Sequence, residues 1–457
     1  MAAKDWILML FASLVIAGCS SCSGGSGSSA PTATAPTPPA NPTPPAPAGT
    51  TFPLHIDAGH RYLITASGEP YFLQGDAAWS LIARLTREQI TQYLDDRQAR
   101  GFNAIIVELI EHKFSDNPPN NAYGDPPFLT PNDFTTPNEK YFQHAAYAIG
   151  EAARRGMVVL LAPAYLGIDG GDEGWYAAMT DQGTTRLKQY GRYVGTRFKD
   201  YTNIVWVHGG DFNPPEGRSF RAVAEGIVEI EPAALHTFHG ARNSSAFGVI
   251  SPQDPWLRLN NIYTSDDNIV SSAFTEYSRA TAPFFLIEAV YDQRGVDANG
   301  VRREAYQAIL SGASGHVIGH DLVWQFAPGW QNALDTSATR SIAPMQALMS
   351  LLHWPALEPD TQAALIVSGG GTAADKVAAS IAPDGTVAVL YVPNRRNVTA
   401  NFARMPSAQV RLRWFNPVTG ALTEMPGSPV ARSAAQLLSP PTDASAPDWV
   451  AVAEAVQ

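Results

Sequence analysis

Cysteine is almost absent from this chain: Cys19 and Cys22 are the only two in 457 residues. That excludes a disulfide framework and a cysteine-ligated metal centre. Positive charge is also sparse, with 31 Lys plus Arg against 42 Asp plus Glu and a formal net charge of -11. No basic cluster occurs, so the electrostatic footprint of a nucleic-acid binder is missing. There is no HExxH helix, no glycine-rich phosphate loop and no GxSxG elbow, which removes the corresponding zinc, nucleotide and serine-nucleophile chemistries. His316, His320 and Asp321, or His236 with His239, form no compact ligand motif, and neither a metal nor another cofactor is expected.

A long apolar run is lacking too. The stretch from Trp6 to Ala17 is too short for a permanent membrane span. It follows Lys4 and ends Val15-Ile16-Ala17-Gly18-Cys19, which resembles the bacterial lipobox. The resemblance implies a signal peptide over 1–18, with cleavage before Cys19 and lipid on that cysteine. Ser20 follows in place of an aspartate, so anchoring in the outer membrane is expected, facing the periplasm or the cell surface. Residues 19–50 are rich first in Ser and Gly, then in Pro, Ala and Thr. Such a tract cannot build a core and reads as a spacer, about 3.1 Å per residue where proline dominates.

From Tyr71 strand and helix signals alternate. YFLQG, FNAIIVEL, MVVLLAP, NIVWVHG, LHTFHG, NNIYTS, PFFLIEA and HVIGHDLVW read as strands, several of them apolar on both faces as parallel strands require. Between them lie amphipathic helices. Thr86 with Gln89 makes a capping box before Ile90, Tyr93 and Leu94, and Gly101 closes that helix. Further stripes run through Phe142 to Ala153, Leu187 to Phe198, Phe220 to Ile230, Ala305 to Ile309 and Thr339 to Trp354. The alternation predicts an α/β fold, a (β/α)8 TIM barrel over 51–355 with a hairpin at Ser67-Gly68 beneath it. Beyond Trp354 short strand signals follow one another with no helix between, predicting a small antiparallel β-sandwich over 356–457.

Two apolar runs end in acids. NIVWVHGGDFNP carries Asp211 after strand four, and APFFLIEAVYD carries Glu288 after strand seven. Taken singly, Asp211 would serve as a helix or turn cap and Glu288 as an arginine partner. Together, at the catalytic end of a barrel, they suit the paired carboxyls that break a glycosidic bond. Candidate sugar contacts at other strand tips are Asp76, Trp79, Glu108, His208, His239, Tyr263, Tyr291, Trp324 and Gln325. The long loop Glu111 to Pro137 is a candidate lid, with Tyr123 and Phe128 facing substrate.

The segments FLQGDAAWSLIARLTREQITQYLDDRQARGFNAI, NIVWVHGGDFNP, FLIEAVYD and GHVIGHDLVW, with RWFNPVTG and DWVAVAEA near the end, resemble the apiosidase-like glycoside hydrolases and their appended collagen-binding-like sandwich. The resemblance implies a retaining hydrolase with Asp211 as acid/base and Glu288 as nucleophile. It also implies an apiose-like or other pentofuranose as the sugar released from plant or microbial polysaccharide. The partner is then a polysaccharide or oligosaccharide, and a monomer is expected. The wider clan typically has Asn-Glu after strand four, where this chain has Gly209-Gly210-Asp211. An endo-glycanase of the same clan and a non-catalytic carbohydrate-binding surface lipoprotein are the alternative readings.

Overall fold

The computed structural model describes residues 51–456 apart from 252–253, 433–434 and 443–445. The leader, Cys19, Cys22 and the spacer lie outside the described residues. Eight short runs form the barrel strands: β1 Leu73–Ala77, β2 Ala104–Glu108, β3 Val158–Ala162, β4 Ile204–Gly209, β5 His236–His239, β6 Asn260–Tyr263, β7 Phe284–Glu288 and β8 Gly315–Ile318. Neighbours run parallel in the order β5-β4-β3-β2-β1-β8-β7-β6, and Ser244–Ser245 adds a short antiparallel edge beside β6. The two ends of this sheet meet without a full ladder. Leu259 N–H donates to the His236 carbonyl at 3.0 Å, and the Asn261 amide donates to the Phe238 carbonyl at 2.9 Å. The result is a nearly closed TIM-like barrel, as the alternation predicts.

Alternation along the strands sorts side chains between two cores. Leu73, Ala104, Ile106, Val158, Leu160, Val205, Val207, Phe285 and Val317 fill the barrel. Ile105, Val107, Val159, Leu161 and Trp206 face the helices instead. Those helices are α1 Arg87–Ala99, α2 Glu139–Arg154, α3 Tyr176–Phe198, α4 Arg218–Val228, the single turn α5 Ala246–Val249, α6 Ile269–Arg279, α7 Ala298–Ile309 and α8 Ile342–Leu351. The Thr86–Gln89 capping box is formed. The antiparallel strands His55–Ile56, Leu63–Ile64 and Pro70–Tyr71 lie at the base of the barrel, where Phe52, Leu54, Leu63 and Tyr71 join its inner core.

Three expectations shift. α4 stops at Val228, which leaves Ile230 beyond it and 37% exposed. The last helical stretch is split into Ser337–Arg340 and α8. β8 ends at Ile318 well before Trp324, because the His320 carbonyl accepts from both the Val323 and Trp324 N–H groups and turns the chain.

C-terminal to α8 the strands are antiparallel. One sheet runs in the order Glu358–Pro359, Ala378–Ile381, Val387–Val392, Trp449–Ala455, Gln409–Phe415, Leu422–Glu424, and a second contains Ile366–Ser368, Val398–Ala400 and Gln436–Leu438. This body shares an apolar core with the barrel and is also joined to it by a buried charged cluster. Arg302 on α7 donates from Nε and Nη2 to Asp448 at 2.8 and 2.6 Å, and the Tyr391 hydroxyl donates to Asp448 at 2.8 Å. Tyr306 of α7 stacks on Tyr391 at 4.9 Å.

Removing one member of such a cluster strands a buried charge, at a cost of about 3–5 kcal/mol. Asp448→Ala is therefore expected to lower the Tm by several degrees in thermal unfolding. The double variant Arg302→Met/Asp448→Leu, with no charge left to bury, should recover most of the loss. Equal destabilisation by both variants would mean that packing, not charge, holds the two bodies together.

Candidate active site

The tips of β4 and β7 converge. Beyond β4 the chain makes a left-handed excursion through Gly209, Gly210 and Asp211, with φ of 92°, 124° and 48°. Only glycine tolerates the first two values cheaply, and aspartate is among the few residues that accept the third. A Cβ at Gly210 would overlap the Tyr165 ring, and one at Gly209 the His239 carbonyl. The turn is fixed by a 2.7 Å bond from Gly210 N–H to the His239 carbonyl and a 3.2 Å bond from Asp211 N–H to His239 Nδ1.

On β7, strict alternation would turn Glu288 outward, because Ile287 faces the barrel core. A bulge prevents this. Ile262 pairs with Leu286 and Tyr263 with Glu288, leaving Ile287 unpaired. The extra residue re-aims the next side chain, a recurrent use of bulges beside active sites. Glu288 Oε2 then lies 2.8 Å from His239 Nε2. One ligating atom each from Asp211, His239 and Glu288 lies within 4.8 Å of the others, the only group of its kind among the described residues.

That spacing also suits a metal ion, but the imidazole is already engaged at both nitrogens. Nδ1 lies 3.2 Å from both the Asp211 peptide nitrogen and the Gly240 carbonyl oxygen, and Nε2 lies 2.8 Å from Glu288, so both ring nitrogens already have partners within the protein. Burial raises the proton affinity of Glu288 and the Asp211 charge adds to it, while the His239 bond opposes both. Burial works against a charge on His239, but the Glu288 hydrogen bond and the two carboxylates outweigh it and raise its proton affinity.

Six further candidates gather around the pair. The Trp79 indole donates to the Tyr291 hydroxyl at 3.0 Å, and its ring lies 5.6 Å from that of His239. Tyr263 lies 4.9 Å from the His239 ring. Glu108 points into the barrel mouth; burial, with the Glu111 and Asp211 charges, raises its pKa well above the usual range. Trp324 closes the far side, 5.0 Å from Phe114.

Three candidates lie elsewhere. Asp76 faces α1, where it accepts from Tyr93 at 2.7 Å and Arg97 at 3.1 Å. His208 also points outward, 2.9 Å from His236 and edge-on to Trp256, and burial lowers its pKa to about 3. In both strands the residue is one position out of phase with the mouth. Gln325 contributes its carbonyl to Arg84 at 3.0 Å, and no hydrogen bond or ring contact joins its side chain to the pair among the described residues.

The long loop also departs from expectation. Tyr123 accepts from Arg87 N–H at 3.1 Å, and Phe128 packs on Phe134, Trp175 and Tyr190. Both aromatics therefore bury themselves against the helix layer. Phe114 is the residue that reaches the cleft, between Trp324 and Tyr165. Tyr165, Phe114 and Arg242 were not singled out by pattern. Tyr165 donates to Asp211 Oδ2 at 2.7 Å, and Arg242 donates to the Tyr263 hydroxyl at 3.2 Å. The one legible signal was an aromatic three residues past the end of β3. A cavity of about 650 Å³ lined by Asp292, Asp297, His320, Asp321, Asn332 and Ser337 opens elsewhere.

A parallel barrel with two carboxyls converging from the tips of β4 and β7 defines the class of barrel glycoside hydrolases. Residues 57–356 match the model of the apiosidase-like catalytic domain, and the chain belongs to that family. Residues 359–454 match a collagen-binding-like domain model from a collagenase. A glycoside hydrolase family 5 protein from Bacteroides vulgatus ATCC 8482 superposes with a TM-score of 0.77 at 20% identity, over 89% of this chain and 94% of that one. A second structure, described as a glycoside hydrolase, gives a TM-score of 0.76 at 22% identity, over 90% and 99%. At these identities the likeness is one of fold. No curated protein matches the chain.

Gly210→Ala is expected to displace the Tyr165 ring and to misplace Asp211 by a fraction of an ångström or more. A shift of about 1 Å at a reacting group costs on the order of 100-fold in rate, so kcat/KM on a cleaved glycoside should fall at least tenfold with the fold intact by circular dichroism. An unchanged rate would show that the turn tolerates a side chain.

Proposed function

We propose that this glycoside hydrolase works with retention of configuration, Asp211 acting as acid/base and Glu288 as nucleophile. The supporting observation is the separation within 4.8 Å of oxygens from the two carboxyls. It fits the spacing of about 5–5.5 Å for retaining enzymes and falls short of the roughly 6.5–9.5 Å that admits a water between the groups. In this reading Glu288 attacks the anomeric carbon while Asp211 protonates the departing oxygen. Water then adds from the Asp211 side, gives its proton back to Asp211 and releases Glu288. His239 Nε2–H donates to Glu288 and favours its ionised form, as a nucleophile requires.

The sugar we propose is a terminal apiose-like or other pentofuranose on plant or microbial polysaccharide. Family membership supports it, and so does the shape of the cleft. Phe114 with Trp324 and Tyr165 walls one side, and ion pairs Arg84–Asp116 and Lys113–Asp172 tie that wall down. A cleft closed on one side suits removal of single sugars from a chain end or branch. We further propose attachment to the outer membrane through lipid on Cys19, for which the lipobox-like Val15 to Cys19 is the support.

Purified protein assayed on apiose- or arabinose-bearing polymers and aryl glycosides should release monosaccharide first, and NMR of the nascent product should show the substrate's anomeric configuration. Glu288→Gln should abolish turnover. Asp211→Asn should lose about 10²–10⁴-fold on poor leaving groups and far less on activated aryl glycosides. An inverted product would overturn the mechanism, and oligosaccharides appearing first would replace exo with endo action. In cells fed a labelled fatty acid the full chain should carry label that Cys19→Ala lacks; label on both or neither would remove the anchor.

A further inference from the structure

The general acid proposed above is one methylene shorter than a glutamate. Its carboxyl therefore depends on the backbone turn and on whatever grips it. The structure provides one grip. Tyr165, three residues past the end of β3, donates its hydroxyl to Asp211 Oδ2 at 2.7 Å. Its ring occupies the space that a side chain at Gly210 would need. The same segment is bound to the β4 turn through its backbone, with Leu166 N–H on the Gly209 carbonyl at 3.1 Å and Asp169 N–H on the Asp211 carbonyl at 3.3 Å. Trp79 at 5.9 Å and Phe114 at 6.1 Å pack against the tyrosine ring and restrict its position. The hydroxyl is buried and has Asp211 as its hydrogen-bond partner.

We infer that Tyr165 is the positioning residue of the acid/base group, an inference that rests on the retaining reading of Asp211. With Oδ2 held as an acceptor, Oδ1 is the oxygen left to carry and return the proton. In the first step the Oδ1–H bond breaks and the proton goes to the departing glycosidic oxygen, which keeps the electron pair of its cleaved bond to carbon. In the second, a proton from water returns to Oδ1 as the water oxygen bonds to the anomeric carbon. Tyr165 keeps its own proton throughout, since burial and the neighbouring Asp211 charge hold its hydroxyl well above the ordinary phenol range. The donor also favours the ionised form of whichever carboxyl accepts it, so it keeps the acid labile in a buried setting.

The test is Tyr165→Phe, which keeps the ring against Gly210 and removes only the hydroxyl. On a glycoside with a poor leaving group kcat should fall about 10–100-fold, while an activated aryl glycoside should lose less than about threefold. The limb of the pH–rate profile set by the acid should move to higher pH. In the Asp211→Asn background the same change should have almost no further effect, as expected of a residue acting through its neighbour. Additive losses, or equal losses on both substrates, would make Tyr165 a substrate contact or a packing residue and overturn the inference. A 13C-NMR titration of labelled aspartate carboxyls, with Asp211 identified by its absence in Asp211→Asn, reads the same contact without turnover. An upward shift of its midpoint in Tyr165→Phe supports the inference even if no glycoside is cleaved and the retaining reading fails; an unmoved midpoint overturns it.

Discussion

The site depends on a single imidazole used at both ends. His239 is fully buried at the tip of β5, between the strand that delivers Asp211 and the strand that follows toward Glu288. Its Nδ1 lies 3.2 Å from the Asp211 peptide nitrogen and from the Gly240 carbonyl, and its Nε2 meets the Glu288 carboxylate. Two acids within 4.8 Å repel when both are charged, and the ring both spaces them and treats them unequally. It touches one through the backbone, which is indifferent to side-chain charge, and the other through the carboxylate itself. The scaffold thus holds the two carboxyls in unequal surroundings.

Each acid reaches that ring through a local departure from regular strand geometry. Three successive positive φ values carry the chain outward after β4, and an unpaired Ile287 reverses the inward–outward phase at the end of β7. Such conformations cost of order 1–3 kcal/mol for a non-glycine residue and persist only where the surroundings over-determine them. Here they are pinned by the His239 carbonyl, the Tyr165 ring and the parallel pairing with β6. The buried Arg302–Asp448 cluster on α7 joins the barrel to a second body.

What was legible in the sequence follows from the same division. Continuous apolar runs separated by helical stripes set the barrel and its order, because that pattern is written in residue type. An acid at the end of such a run is equally visible, so Asp211 and Glu288 stand out. Phase is less visible. Asp76 and His208 have the residue types of sugar contacts and sit near strand ends, yet alternation sends both toward the helices, where Arg97 and Tyr93 bond to one and His236 to the other. Glu288 escapes that fate only through a bulge that no local pattern announces. Tyr165 and Phe114 lie in loops beyond β3 and β2, where no periodicity constrains direction, and their roles appear only when three strand tips are seen together.

The short side chain of an aspartate at position 211 then has a structural rationale. Gly209 and Gly210, both at positive φ, make the turn that presents Asp211 two residues past the end of β4. The shorter side chain has fewer rotamers to freeze, and the Tyr165 bond holds the ones that remain. Placing a glutamate at 211 without closing the turn would push the carboxyl past the hydroxyl that grips it. The Gly-Gly pair, the tyrosine and the aspartate therefore form one unit, and none of the three is free to change alone.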